Sequence, residues 1–141
     1  MTETFKRVCK DCKSTTRVAK HPGPRCTTCH RAFVKASKAR AHAKYIERTY
    51  SISEDAYAAI LESQGGYCAI CRRANGKTKR LAVDHDHSCC RGSVSCGRCV
   101  RALVCGPCNS AMAHFRDDTD ALRRAIRVIT DHPAQETLLG L

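Results

Sequence analysis

The chain is short, basic and rich in cysteine, and these properties limit what it can be. Its 141 residues include 12 cysteines and no tryptophan, and aromatic residues make up only 5%. Such a chain has a small hydrophobic core, which needs additional cross-links to be stable. No run of the sequence approaches the roughly 20 apolar residues of a membrane span, and residues 1–7 contain no apolar stretch that would serve as a signal peptide. A cytoplasmic protein with reduced thiols is therefore expected.

Positive charge is concentrated in the amino-terminal third of the chain. The formal net charge is +12, and residues 1–50 hold 13 Lys and Arg against 3 Asp and Glu. A zinc ion bound by four thiolates carries a net charge of about −2, so two such sites would leave a charge of about +8. This excess predicts a nucleic acid, DNA, as the partner. Because no stretch is long and apolar enough to span a membrane, no membrane role is expected.

The first segment of the chain predicts a metal-binding module followed by a helix. Four cysteines with the spacing Cys-x2-Cys-x13-Cys-x2-Cys predict a zinc ribbon over residues 1–30. Residues 31–50 are Ala-rich and basic and lack Pro and Gly, which predicts a basic linking helix. The four ribbon ligands are Cys9, Cys12, Cys26 and Cys29. The helix residues expected to contact the DNA backbone, unless they form only a solvated face, are Lys35, Lys38, Arg40 and Lys44.

Residues 51–141 predict a second domain in which two strands precede a helix. Capping hydroxyls and acids begin a helix near Ser53, and the Gly65-Gly66 pair ends it. Residues 81–83 and 100–104 predict short strands. A helix follows from Asn109, and the acidic run that starts at Asp117 precedes the last one. The expected architecture is a small, zinc-stabilised α+β fold.

The remaining eight cysteines divide into one clear metal site and one ambiguous group. Two Cys-x-x-Cys pairs predict a structural zinc site in which four thiolates satisfy the ion completely. Its ligands are Cys68, Cys71, Cys105 and Cys108. The other four cysteines either form a third zinc site, in which His87 could replace one cysteine, or are reduced thiols of a loop. They are Cys89, Cys90, Cys96 and Cys99.

A four-residue run between the cysteine pairs, residues 84–87, carries the side chains that hydrolysis of a phosphodiester needs. An imidazole titrates near neutrality, so His85 is the expected general base, although a structural histidine is the alternative. Asp84 and Asn109 offer hard oxygen ligands for Mg²⁺, which Mn²⁺ can replace. His87 lies on the same face as His85 if the chain is extended, so it is expected to assist the base or orient the phosphate.

Two further features complete the predicted site. Asn109 directly follows the zinc ligand Cys108, so the thiolates that hold zinc would also fix the direction of the amide. Arg101, close to the second cysteine pair, is expected to contact a phosphate.

These motifs resemble the recombination endonuclease VII family of phage His-Me finger, or HNH-type, nucleases. The resemblance covers residues 50–132, and its matching segments are residues 53–57, 64–71, 83–87, 100–109 and 116–118. It implies a ββα-metal nuclease domain over residues 51–141, with a four-cysteine zinc site, His85 as general base, and Asp84 and Asn109 as Mg²⁺ ligands.

The resemblance also implies a substrate, a setting and an assembly. The substrate would be branched or distorted DNA such as a Holliday junction, cut to leave 5′-phosphate ends by a phage-encoded enzyme in the bacterial cytoplasm. A homodimer is implied as well, because junction-cutting members of the family are intertwined dimers. Met112 stands where the phage enzyme of this type has a glutamate, which keeps open a non-catalytic zinc-ribbon protein that binds DNA or assists its packaging.

Overall fold

The computed structural model describes residues 8–14 and 16–140, which fall into two compact units. The first unit extends to Glu54 and the second begins at Asp55. The described residues contain five helices and one two-stranded sheet, so the predicted α+β composition is confirmed. Residues 1–7, for which the sequence predicts no signal peptide, lie outside the described part. Among the described helices, none combines the length and apolar character needed to cross a membrane.

The first unit consists of a cysteine-bearing segment that leads into a long helix, α1 (Thr27–Tyr50). The helix begins four residues before the sequence-based boundary, because Cys26 adopts an extended conformation and is its N-cap. The second cysteine pair therefore lies at a helix start. In residues 8–14 and 16–26 the only strand-like pairing is the bridge between His21 and Arg25. The described part of the expected ribbon is thus mostly irregular chain.

The second unit is built on an antiparallel pair of strands, β1 (Ala82–His85) and β2 (Val100–Val104). The register pairs Asp84 with Ala102 but His85 with Val100, so the ladder contains a bulge with Arg101 as the extra residue. Apolar side chains of the strands and of the residue before β1 form the buried core of this region, namely Leu81, Val83, Leu103 and Val104.

Helix α2 (Glu54–Ser63) and the turn after it attach to the sheet through side-chain hydrogen bonds. The buried Tyr57 hydroxyl donates to the Leu81 carbonyl at 2.9 Å and accepts from the Leu81 N–H at 3.0 Å. Gln64 pairs with both backbone groups of Leu103, donating at 2.9 Å and accepting at 2.8 Å. Gly65 and Gly66 follow with φ values of +70° and +84°, a conformation that glycine adopts without strain.

Three helices follow β2, which are α3 (Gly106–His114), α4 (Thr119–Thr130) and α5 (Pro133–Leu139). Helix α4 has the predicted acidic cap, since the Asp118 carboxylate accepts from two backbone N–H groups of the first turn at 2.8 and 3.1 Å. Helix α5 was not predicted. Apolar side chains on α4 remain uncovered, with Ile126 59% and Ile129 74% exposed.

Candidate metal centres and active site

The twelve cysteines, all within the described residues, lie in three groups of four. In each group the sulfur atoms all lie within 4.8 Å of one another, and none of the cysteines forms a disulfide. The groups are Cys9, Cys12, Cys26 and Cys29, then Cys68, Cys71, Cys105 and Cys108, then Cys89, Cys90, Cys96 and Cys99. The spacing of the cysteines along the sequence thus predicted the members of the first two groups.

The separation of the sulfur atoms fits a tetrahedral zinc ion. Zinc–sulfur bonds of about 2.3 Å place the corners of a tetrahedron about 3.8 Å apart. The Sγ atoms of Cys12 and Cys26 are 3.8 Å apart, as are those of Cys71 and Cys105. A disulfide would bring two sulfurs to about 2.05 Å. Both groups are therefore suited to hold zinc.

The first two groups share one local geometry, built once in each unit. Cys26 and Cys105 are the N-cap residues of α1 and α3, and each is extended. The backbone N–H of Cys26 donates to the Cys9 sulfur at 3.3 Å, and that of Cys105 donates to the Cys68 sulfur at 3.3 Å. The accepting sulfurs belong to fully buried residues. Each of these two cysteine groups thus includes the residue that begins a helix.

The pKa values of the thiols differ within each of these two groups. Backbone N–H groups, first that of the residue three positions further along, lower the pKa of Cys9 and of Cys71 to about 6. Neighbouring thiols raise the pKa of Cys29 to about 12, and burial with nearby thiols raises that of Cys108 to about 12. Backbone N–H groups also lower the pKa of Cys26, and they outweigh burial in lowering that of Cys68. The thiols with a raised pKa oppose full ionisation of each group, which a bound metal ion would favour.

The two predicted histidines meet at the end of β1. His85, the last strand residue, is buried at 5% exposure, whereas His87 is exposed. Their ring centroids are 4.5 Å apart with the planes tilted by 47°. The structure therefore brings a buried imidazole and an accessible one into contact, an arrangement that suits a base and its assistant.

Asp84 is held by the arginine that the bulge brings beside it. The Nε and Nη2 atoms of Arg101 donate to the two carboxylate oxygens of Asp84 at 2.8 and 3.0 Å, and Nη2 also donates to Asp117 at 3.1 Å. These hydrogen bonds, that to Asp84 first, raise the pKa of Arg101 above its ordinary value. The phosphate contact of Arg101 stays a prediction, because the structure shows its guanidinium bound to two carboxylates.

The charge balance at Asp84 still favours a cation. Two carboxylates share one guanidinium, so the trio of Asp84, Asp117 and Arg101 carries a net charge of −1 when all are ionised. An ionised carboxylate has about four acceptor sites. Asp84 can therefore accept from Arg101 and still offer an oxygen lone pair to a metal ion.

Asn109 lies on α3, one residue after Cys108 of the second cysteine group. Its backbone N–H donates to the Cys105 carbonyl at 2.9 Å, and α3 contacts β1. The second cysteine group thus lies at the first turn of the helix that carries the amide, next to the strand that carries Asp84. A metal ion shared by Asp84 and Asn109 remains a prediction.

The basic residues of α1 divide between two sides of the helix. All four predicted contacts are exposed. At about 100° per residue, Lys35 and Lys38 lie about 60° apart, and Arg40 and Lys44 about 40° apart, on a side about 120–180° away from the first pair. A groove of a straight DNA duplex would therefore contact one of these two pairs of basic residues before the other.

Three polar residues with structural roles were not predicted as part of the site. Asp117 binds Arg101, and Gln64 holds the edge of β2 through Leu103. Asp86 accepts from the N–H and hydroxyl of Ser88 at 2.8 and 2.7 Å, and those bonds, the hydroxyl first, lower its pKa. The Asp-x-Ser spacing, which is typical of such turns, was the available signal for Asp86.

Comparison with known proteins decides the relationship that the motifs indicate. Residues 43–131 match the family described as recombination endonuclease VII. The chain belongs to the recombination endonuclease VII family. Two relatives, each named Gene 59 protein, come from the Mycobacterium phages D29 and L5 and are 43% and 42% identical over 138 residues. These alignments cover 94% of this chain and 79% of each relative. No solved structure matches.

The part of the chain that matches the endonuclease VII family contains the whole candidate site. It includes both strands, both histidines, Asn109 and the second and third cysteine groups. The first cysteine group lies before it. Family membership therefore supports a nuclease with DNA as its substrate, located in the second unit.

Proposed function

We propose that the protein is a Mg²⁺-dependent endonuclease that hydrolyses phosphodiester bonds in branched or distorted DNA, such as a Holliday junction. The observation that carries this proposal is the ordered site at the end of β1, where Asp84 and the contacting pair His85 and His87 lie beside the helix that carries Asn109. The proposed core is a ββα-metal, or His-Me finger, arrangement of β1, β2 and α3. Support comes from the antiparallel strand pair and from the contact of α3 with β1.

In the proposed reaction, the residues of the site divide the work. His85 takes a proton from the attacking water, and His87 orients the phosphate at the exposed side of the ring pair. Asp84 and Asn109 would hold Mg²⁺ or Mn²⁺, and their oxygen atoms suit such hard ions. The bound ion supplies positive charge for the phosphoryl and leaving oxygens. Arg101 holds the Asp84 carboxylate in a fixed orientation through its two hydrogen bonds.

The cysteine groups and the basic helix have supporting roles in this proposal. Zinc in the first two groups would stabilise the starts of α1 and α3, which the sulfur geometry supports. The exposed basic residues of α1 would bind the DNA backbone. The proposed domain organisation is a zinc module, the linking helix and the nuclease domain.

The relatives come from phages, which supports a phage gene acting in the bacterial cytoplasm. A homodimer remains the proposed assembly, and the uncovered apolar residues of α4 and α5 support it.

The role of Asp84 is tested by replacing it with asparagine. We expect Asp84→Asn to lower single-turnover cleavage by at least about 10²-fold at fixed Mg²⁺, since the amide lacks the charge that holds the cation. Arg101 keeps its hydrogen bond to Asp117, so the fold should survive. Mn²⁺ binding followed by electron paramagnetic resonance should weaken in parallel.

Asp120→Asn is the matched control, because Asp120 is an exposed carboxylate whose partner is Arg123 on the same helix. It should cut DNA and bind Mn²⁺ as the wild type does. Wild-type cutting and Mn²⁺ affinity in Asp84→Asn would remove Asp84 from the metal site.

The DNA contact of α1 is tested through the salt dependence of binding. Replacing Lys35, Lys38, Arg40 and Lys44 with glutamine should reduce the slope of log affinity against log salt by about 0.9 for each lost phosphate contact. The double variants Lys35→Gln/Lys38→Gln and Arg40→Gln/Lys44→Gln change the charge equally on different sides of α1. Fluorescence anisotropy with one duplex should therefore show unequal losses, while an unchanged slope in the quadruple variant would rule out α1 as the contact.

A second candidate is a non-catalytic protein that binds DNA through its zinc module or assists DNA packaging. Met112 on α3 favours it, because a thioether supplies no hard oxygen for Mg²⁺ where the phage enzyme of this type has a glutamate. This protein would bind DNA with the same salt dependence but cut nothing. Cleavage that requires His85 separates the two candidates.

A further inference from the structure

A third group of cysteines lies beside the candidate active site. Cys89, Cys90, Cys96 and Cys99 all belong to the connection between β1 and β2, and their sulfur atoms lie within 4.8 Å of one another. They fall inside the segment that matches the family. Neither the proposed reaction nor the two structural zinc sites uses them.

The sulfur positions in this group match those of the other two. The Sγ atoms of Cys89 and Cys96 are 3.9 Å apart, those of Cys89 and Cys90 are 3.9 Å apart, and those of Cys96 and Cys99 are 3.8 Å apart. A tetrahedron of sulfurs around zinc has edges of about 3.8 Å. The adjacent pair, Cys89 and Cys90, can therefore span one edge of such a tetrahedron, and all four sulfurs of the group lie close enough together to bind one ion.

The connection has little else to hold its shape. Residues 86–99 contain no helix or strand, and the only buried side chain among them is the polar Ser95. Without a buried apolar residue, the hydrophobic effect cannot order a segment of this length. A bound metal ion is the cross-link that this composition offers.

We propose that Cys89, Cys90, Cys96 and Cys99 bind a third zinc ion, which closes the connection between β1 and β2 and positions His87 beside His85. The zinc site stands on the cysteine geometry alone. The positioning of His87 rests on the proposed nuclease function.

Hydrogen bonds link this group to the histidine pair. The Asp86 N–H donates to the Cys99 carbonyl at 2.9 Å, and the Cys90 N–H donates to the Asp86 carbonyl at 3.1 Å. His87 lies between these anchored residues, and its ring is 4.5 Å from that of His85. Opening the cysteine group would release the backbone on both sides of His87. His87 is thus the residue that the third zinc would hold in place.

The zinc content of the full chain tests the site directly. Elemental analysis of wild-type protein purified under reducing conditions should give three zinc ions per chain, and Cys89→Ser/Cys96→Ser should give two. Val94→Ala, an exposed change in the same connection, is the control and should keep three. Two zinc ions in the wild type, with four thiols that react rapidly in the folded protein, would overturn the site. The wild-type count holds whether or not the double variant folds.

Positioning needs a readout that does not depend on zinc content. In Cys89→Ser/Cys96→Ser we expect the imidazole NMR signals of His85 and His87 to shift, those of His114 to stay, and cleavage to fall about tenfold. Unchanged His87 signals would overturn the positioning role. Three zinc ions without cleavage by the wild type would uphold the zinc site and reject the nuclease, whereas two zinc ions with cleavage would do the reverse.

Discussion

Replacing His85 with alanine is expected to lower DNA cleavage by about 10²–10⁴-fold, the range that a general base contributes. His85 is buried at the end of β1. It therefore should contribute little to binding of the DNA backbone, and affinity should remain at the wild-type value. Single-turnover rates on a labelled junction and binding by fluorescence anisotropy would measure the two effects separately.

The loss must be separated from damage to the fold, because His85 is a core residue. His114→Ala, an exposed substitution on α3, should change neither rate nor affinity. The zinc content and thermal melting of both variants should be compared with the wild type. Added imidazole should restore part of the activity of His85→Ala if the lost group is a base. A fully active His85→Ala would contradict the proposed role.

Cys105→Ser and Cys26→Ser are expected to affect different units and different activities, although the two residues have the same local geometry. A structural zinc site contributes about 10–16 kcal/mol in small metal-binding domains, as much as the whole stability of a typical domain. Cys105→Ser should therefore unfold the second unit and abolish cleavage. Cys26→Ser should disturb the first unit and weaken DNA binding, while the second unit stays folded.

Zinc analysis, circular dichroism and limited proteolysis would distinguish these outcomes. Each variant should lose one zinc ion, and only Cys105→Ser should expose the second unit to protease. If Cys105→Ser kept its zinc and its melting temperature, the second cysteine group would have no structural role. If Cys26→Ser unfolded the second unit, the two units would not be independent.

Most of the fold can be predicted from local sequence patterns. The strand at residues 100–104 and the helix that Gly65-Gly66 terminates were predicted from short sequence signals, and the structure has both. Cysteine spacing also gave the correct groups, since ligands of one zinc ion come in pairs separated by two residues. Helix α1 was found but began earlier than expected, because the sequence does not reveal that Cys26 caps a helix.

Features that depend on pairing between distant segments were not predictable in this way. The bulge that brings Arg101 to Asp84 arises from the register of two strands, and no local pattern marks it. The support of β2 by Gln64 likewise joins residues that are far apart in sequence. The sequence left the third cysteine group ambiguous, because the spacing of cysteines along the chain does not give the distances between their sulfur atoms. Those distances come from the structure.

The most direct test of the proposed function is cleavage of a four-way DNA junction beside a linear duplex of the same sequence, with and without added Mg²⁺. The protein should be loaded with zinc beforehand, so that only the second metal varies. We expect cutting that requires Mg²⁺, leaves 5′-phosphate ends and favours the junction. Tight binding of both substrates without any cleavage would contradict the nuclease and leave the DNA-binding accessory protein.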